Sequence, residues 1–352
     1  MATIEYSRFS RRTALTGAAA VLAAGITAAP PRAGAAGPAS VIRSAAARGA
    51  ERLALTADGD PSDAYEIRHF TVDADRRVAL GERLAIDLPA GFHPHSMAAR
   101  GETLWITGAV DEFVKTVTVD NRFDALPERL RDLADPDDAD PYLPDGIVDI
   151  DVYRARPALL RVQDSRPAFV ELPTPEQMGS GAAMAIALLG NDDIAIAIEG
   201  CSDPDLAVIS RSHLAVSVDD GRTWRYQSAA VGLGEGYGTV LASVGDRILA
   251  VTADGDGTQT LHVGRPGIGF ERAAAQTGAG RPMAAIPTAE GSVSVYSDRD
   301  GKVSEARFTA EGRALESAGA ACGCAGEVLA VQGLADAWLE ADGDETRAQG
   351  ME

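Results

Sequence analysis

Ser217-Val218-Asp219-Asp220-Gly221-Arg222-Thr223-Trp224 is the stretch on which the reading of the fold turns. An Asp side chain in a hairpin turn accepts backbone N–H bonds. Gly221 supplies a positive φ without a Cβ clash, and Trp224 brings a large ring to bury between sheets. The stretch therefore reads as a turn that builds a fold, with no catalytic chemistry of its own. Its end is echoed in Gly267-Ile268-Gly269-Phe270 and Gly312-Arg313-Ala314-Leu315. Asp164-Ser165-Arg166-Pro167-Ala168-Phe169 and Asp75-Arg76-Arg77-Val78-Ala79-Leu80 keep the Asp and the apolar end. Trp224, Phe270 and Leu315 are 46 and 45 residues apart, and Trp224 lies 55 beyond Phe169. A period of about 45–55 residues suits one four-stranded blade of a β-propeller.

Other segments repeat as well. Ser44-Ala45-Ala46-Ala47-Arg48-Gly49 with Leu53-Ala54-Leu55-Thr56 corresponds to Ser96-Met97-Ala98-Ala99-Arg100-Gly101 with Leu104-Trp105-Ile106-Thr107. The run from Val240-Leu241-Ala242 to Ala253-Asp254-Gly255-Asp256 corresponds to that from Val328-Leu329-Ala330 to Ala341-Asp342-Gly343-Asp344. Each unit is a short apolar strand, a turn, and a second apolar strand ending in a polar turn.

The opening stretch is a full match to S-x-D-x-G-x-T-W and resembles the Asp-box, or BNR repeat, of sialidase-like β-propellers. With the repeat rhythm, the resemblance covers residues 41–345. It implies an all-β propeller whose blades run in strand order A to D from the axis outward. Blade starts are expected near Val41, His95, Ala182, Thr239, Pro282 and Glu327, which makes six blades. The last is short of strands and would be completed by the N-terminal segment; five blades would follow if the two chain ends share one. Residues 124–149 hold Pro127, Pro136, Pro141 and Pro144 among eight Asp residues. They read as a long insertion with one short helix at 128–133.

The first 35 residues read differently. Ser10-Arg11-Arg12-Thr13-Ala14-Leu15-Thr16 precedes an Ala-rich apolar run and the small-residue site Ala33-Gly34-Ala35. This is the anatomy of an export signal. It resembles the twin-arginine pattern S-R-R-x-F-L-K, departing from it at Ala14 and Thr16. A secreted, extracytoplasmic protein is expected, with no membrane span, since no later apolar run approaches the ~18 residues one needs. The signal takes Arg8, Arg11, Arg12, Arg32 and Glu5, leaving 28 basic against 51 acidic residues in the remainder. A net charge of about −23 repels nucleic acid and anionic membranes. It suits a saccharide or protein ligand and a monomer.

In propellers of this kind the D-to-A and B-to-C connections share one face, the usual ligand face. Those connections supply the candidates His93, His95, Glu199, Glu235, Tyr237, Asp254, Arg281 and Asp298. Ser217, Asp219, Gly221, Thr223 and Trp224 form the structural set on the opposite face. His93, His95 and the cysteines Cys201, Cys322 and Cys324 have the chemistry of metal ligands. Their short spacings read more simply as solvated histidines and a disulfide from Cys201 to Cys322 or Cys324, with free thiols left open. No metal and no cofactor are expected. The D-G-D turns at Asp58, Asp254 and Asp342 read as hairpin turns.

The resemblance also invites glycoside hydrolysis. Sialidases of this fold use three arginines, a Tyr–Glu pair, an Asp acid/base and an R-I-P motif. Here Arg156-Pro157-Ala158-Leu159 lacks the Ile, Tyr237 stands beside Glu235, and no arginine triad can be assigned. Glu235 with Asp254 or Asp298 would supply paired carboxylates. G-x-S-x-G and phosphate-loop patterns are missing. The expectation is a binding module without catalysis, the alternative being a divergent glycoside hydrolase. Changing Arg11 and Arg12 together to Lys is expected to block export. Normal secretion of that double variant, read by immunoblot of the medium, would exclude the twin-arginine route.

Overall fold

The computed structural model describes residues 40–58, 65–120, 147–173, 178–190, 192–201, 211–226, 237–254, 257–276, 279–315, 326–342 and 345–351. The expected signal segment, and the insertion over 121–146 with its short helix, lie outside the described residues. Everything regular within them is strand, in consecutive antiparallel meanders. The first meander is β1 (Ser40–Arg48), β2 (Glu51–Asp58), β3 (Tyr65–Val72) and β4 (Val78–Arg83). The second is β5 (Phe92–Arg100), β6 (Thr103–Asp120), β7 (Ile147–Gln163) and β8 (Arg166–Val170). The third is β9 (Ser180–Leu188), β10 (Ile194–Cys201), β11 (Arg211–Ser217) and β12 (Arg225–Tyr226). The fourth is β13 (Tyr237–Val244), β14 (Arg247–Ala253), β15 (Gln259–Arg265) and β16 (Gly269–Gln276). Then come β17 (Arg281–Pro287), β18 (Ser292–Arg299) and β19 (Lys302–Thr309), and finally β20 (Glu327–Gln332), β21 (Trp338–Asp342) and β22 (Glu345–Gln349).

The leading strand of each meander packs against the next: β1 on β5, β5 on β9, β9 on β13, β13 on β17 and β17 on β20. β20 returns to β1. This closed cycle around a central channel is a β-propeller. The leading strands begin within three residues of the starts expected from the repeats.

Burial follows from the stacking. β9, β14 and β18 are buried along nearly their whole length because each has a neighbouring sheet on both faces. That is why β9 and β14 read as nearly continuous apolar runs rather than as alternating strands. Outer strands such as β16 are largely exposed. Apolar side chains meet at each sheet-to-sheet seam: Leu55 and Ile67 with Met97 and Ile106, then Trp105 and Leu159 with Ile186 and Ile196. Leu214 and Val216 meet Leu241 and Phe270, and Leu249 and Leu261 meet Val293 and Phe308. Tyr296 packs with Val328 and Trp338, and Val331 and Leu339 with Ile42 and Phe70.

Ring closure joins the two chain ends in one seven-stranded sheet, in the order β22-β21-β20-β1-β2-β3-β4. β1 meets β20 there as a parallel neighbour, at Ala45 with Val331 and Ala46 with Gln332. At the rim, Arg76 donates to the Gln349 side chain at 2.9 Å, and the Ala348 N–H donates to the Arg76 carbonyl at 2.8 Å.

The stretch 217–224 is the β11–β12 connection. The Ser217 hydroxyl accepts the Gly221 N–H at 2.9 Å, and Asp219 accepts the Thr223 N–H at 2.9 Å and its hydroxyl at 2.6 Å. These bonds hold the Asp219 carboxyl down at about 2. Trp224 is half-buried, not enclosed as expected, because its Nε1–H reaches out to the Gly221 carbonyl at 3.0 Å. Of the echoes, Phe270 is buried, whereas Phe169 and Leu315 are exposed. In the first sheet it is Asp73, not Asp75, that accepts the turn amides, from Asp75 and Arg77.

The fully buried ring is Trp105 of β6, and Gly221 lies directly on it. Arg161 stacks over the Trp105 ring at 5.3 Å. Arg100 donates to Asp220 at 2.9 Å and to the carbonyls of Leu189 and Asp193 at 2.7 Å each. The turn thus fastens the third sheet to the second. A Cβ on Gly221, which has φ 73°, would stand 2.6 Å from the Trp105 ring. Gly221→Ala is expected to cost about 2–4 kcal/mol, about 1–2 from left-handed backbone and the rest from overpacking. Gly49→Ala, also at positive φ but in open space, should cost only the backbone part. Equal urea midpoints for the two variants would refute the Trp105 contact.

Candidate functional site at the channel mouth

A leading strand buried on both faces has no regular position whose side chain points at the axis. The structure answers this with a bulge, which inserts an unpaired residue and re-aims its side chain. In β1 the register shifts between Ile42 and Ser44, leaving Arg43 unpaired. In β5 the shift leaves His95, in β9 Met184, in β13 Gly238 and Thr239, and in β17 Met283. Glu327 holds the corresponding place in β20 without a register shift. Arg43, His95, Met184, Thr239, Met283 and Glu327 all line the central cavity, joined by Arg281. The cavity measures about 150 Å³. Ligand pockets for drug-sized molecules run to about 300–1,000 Å³, so the channel admits the end of a ligand and not the whole of one.

The ring is lopsided. Glu327, Arg43 and His95 are consecutive around the axis and form a polar arc. Met184, Thr239 and Met283 follow and form a mostly apolar one. Burial pushes the Glu327 carboxyl up, and the Arg43 and Arg281 charges pull it back. Burial also holds the His95 imidazole down at about 4, helped by His93 and Arg43. His95 is therefore neutral near pH 7, and its buried Nε2 has no hydrogen-bond partner.

The sequence candidates sort into distinct roles. His95 and Arg281 line the channel. His93 stands just outside it, its Nε2 3.1 Å from Asp111 Oδ2 and its ring edge-on to Tyr65. Glu199 is buried at 1% exposure and faces no ligand; its carboxylate accepts the N–H groups of Gly238, at 3.3 Å, and Thr239. It fastens the β13 bulge from the neighbouring sheet. Asp254 closes the β14–β15 turn, accepting the Thr258 N–H at 2.8 Å. Asp298 pairs in register with Arg281 and keeps a buried Oδ1 without a hydrogen bond. Glu235, Cys322, Cys324 and the side chains of Tyr237 and Cys201 lie outside the described residues, and with them any disulfide. Arg156 lies on β7, where it and Arg154 engage Glu112 away from the channel. Among the described residues no three His, Cys, Asp or Glu side chains gather as a metal set.

Arg43, Glu327 and the two methionines were not singled out from the sequence. A signal existed: Arg43, His95, Met184, Thr239 and Glu327 each stand six residues before a turn glycine, namely Gly49, Gly101, Gly190, Gly245 and Gly333. The repeat was visible, but its first position varies in chemistry and so looked like noise.

No family model and no curated protein matches the sequence. Solved structures do resemble the fold. Aleuria aurantia lectin in complex with Fucα1-6GlcNAc aligns at 12% identity and a TM-score of 0.51, over 89% of this chain and 92% of the lectin. Trypanosoma rangeli sialidase in complex with the inhibitor DANA aligns at 10% identity and a TM-score of 0.50, over 89% of this chain and 55% of the sialidase. At such identities the likeness is one of fold, that of a β-propeller.

Glu199 yields a pH test. Burial raises its pKa above 4.5, opposed by its bonds to Thr239 and Gly238 and by Arg281. The native state then holds this proton more tightly than the unfolded chain. Its contribution is greatest below that value and declines as pH rises toward the folded pKa. His95 runs the other way, losing stability as pH falls from 6.5 toward about 4. Glu199→Gln should remove the first effect alone, so its stability relative to the parent should rise with pH above 4.5. Glu199→Ala should cost about 1–3 kcal/mol for each amide left without an acceptor. A pH-independent difference between Glu199→Gln and parent in denaturant titrations would rule out this role.

Proposed function

We propose that the chain is an exported Asp-box propeller, secreted as a monomer through the twin-arginine route, that binds a saccharide at its channel mouth without transforming it. The observation that carries the reading is the convergence of Arg43, Arg281, Glu327 and His95 on one axial opening. Two of the described carboxylates are engaged away from the channel: Glu199 is spent on backbone amides and Asp254 on a turn. A retaining or inverting hydrolase needs two carboxyl groups facing across a scissile bond. The match to S-x-D-x-G-x-T-W supports the Asp-box assignment, and the lectin neighbour is a saccharide-bound protein of the same fold. Arg11-Arg12 supports export, which would place the funnel among extracellular glycans or on a protein ligand carrying them.

A glycan array probed with the mature protein is the test. Retention of an oligosaccharide is expected, with at least a tenfold loss of affinity in Arg281→Ala, the order of one or two charge-assisted hydrogen bonds. Arg222→Ala, on the opposite face, should have no effect. Retention that survives Arg281→Ala, or no retention, would overturn the reading. Cleavage of the bound glycan, seen by mass spectrometry, would replace it with that of a divergent glycoside hydrolase.

A further inference from the structure

The channel ring has a chemistry more specific than a generic saccharide site. Arg43 is half-buried at the bulge of β1, and no described residue hydrogen-bonds or ion-pairs with its guanidinium. Such a group carries five N–H donors in a planar fork suited to a carboxylate. Beside it the buried Nε2 of His95 also lacks a partner. Buried polar nitrogens are normally satisfied, so the His95 Nε2, beside an arginine that no described residue holds, points to something that binds there. The same cavity is lined by Met184 of β9, the strand next to His95's, by Met283 of β17, the strand next to Glu327's, and by Leu329 of β20. Methionine is flexible and polarisable and shapes itself to small apolar bodies. The cavity, about 150 Å³, is too small for a sugar chain to thread.

We propose that the group entering this channel is a carboxylate on a short apolar stem, its oxygens held by Arg43 and His95 and its stem resting on Met184 and Met283. This rests on the channel mouth being the ligand site and adds the class of chemical group that it takes. Glu327 next to Arg43 keeps the arc close to neutral overall, which lets the arginine stay inside without a fixed partner. The acid could be free in solution or a substituent on a glycan; the stem and the charge are common to both.

The test uses the full mature protein with ¹³C-methyl methionine, of which the whole sequence has six. Isobutyrate and isobutyramide have the same shape and differ in charge. Isobutyrate is expected to shift the Met184 and Met283 methyl resonances saturably, assigned through Met184→Leu and Met283→Leu, and to raise the His95 titration midpoint. Isobutyramide should bind at least tenfold more weakly, and Arg43→Gln should weaken isobutyrate by a similar factor. A methyl glucoside bearing a lactyl ether reports the source: tighter binding than isobutyrate assigns the acid to a glycan, equal binding to a free acid, and both outcomes support the proposal. Equal binding of acid and amide, unchanged binding in Arg43→Gln, or no methyl shift with any probe would overturn it. In those cases Arg281-dependent retention on the array would still stand, so the two readings fail separately.

Discussion

Each leading strand in this molecule is covered by a sheet on both faces, and that constraint governs the rest. Regular pleating sends alternate side chains into the two seams, and the strand's backbone edge faces the axis. A purely regular ring would present a channel of N–H and C=O groups with no side-chain chemistry. The bulges at Arg43, His95, Met184 and Met283 turn one residue of each of those strands out of the seams, while at the β13 bulge the Thr239 hydroxyl stays bonded to Ser212 and Thr252. They are what makes a site possible here. They also need support, and the buried Glu199 supplies it at one of them by accepting the loosened amides of β13.

The same geometry explains how the ring is held. Sheets contact one another through side chains, so each seam is an apolar cluster reinforced where polar groups find partners. The second and third sheets share Trp105, the Arg161 stack and the Arg100 clamp on Asp220, Leu189 and Asp193. The first and last meanders join in one sheet through β1 and β20. Their seam rests on two parallel residue pairs, the Ile42, Phe70, Val331 and Leu339 cluster, and the Arg76 contacts with β22.

Electrostatics sets the channel apart from the surface around it. The whole chain carries a formal net charge of −20, yet its axis holds Arg43 and Arg281 against Glu327, with His95 neutral. A long-range negative field and a short-range cationic fork are compatible. Exposed charges are screened within about 10 Å at ordinary salt, whereas partly buried ones keep their local strength. The distribution favours ligands that enter for their fit to the ring over ligands drawn in by the bulk charge.

Much of the architecture was legible in the chain itself. The turn at 217–224 and its spaced echoes carried the all-β repeat, and the leading strands fell where the repeats put them, because blade formation is local in sequence. The insertion read over 124–149 begins after β6 ends at Asp120 and overlaps the start of β7 at Ile147. His95 and Arg281, read as lying in the connections before leading strands, stand on β5 and β17 themselves and line the channel. What only the tertiary structure decided was which of the face residues turn inward. Glu199 looked like a candidate acid but is enclosed by the next sheet. Trp224 looked like core but yields that place to Trp105, and Arg43 and Glu327 looked unremarkable but end at the axis. The reason is physical: strand and turn propensities act between near neighbours along the chain. The direction of a bulged side chain is set by the sheets packed on either side, which sequence distance does not reveal.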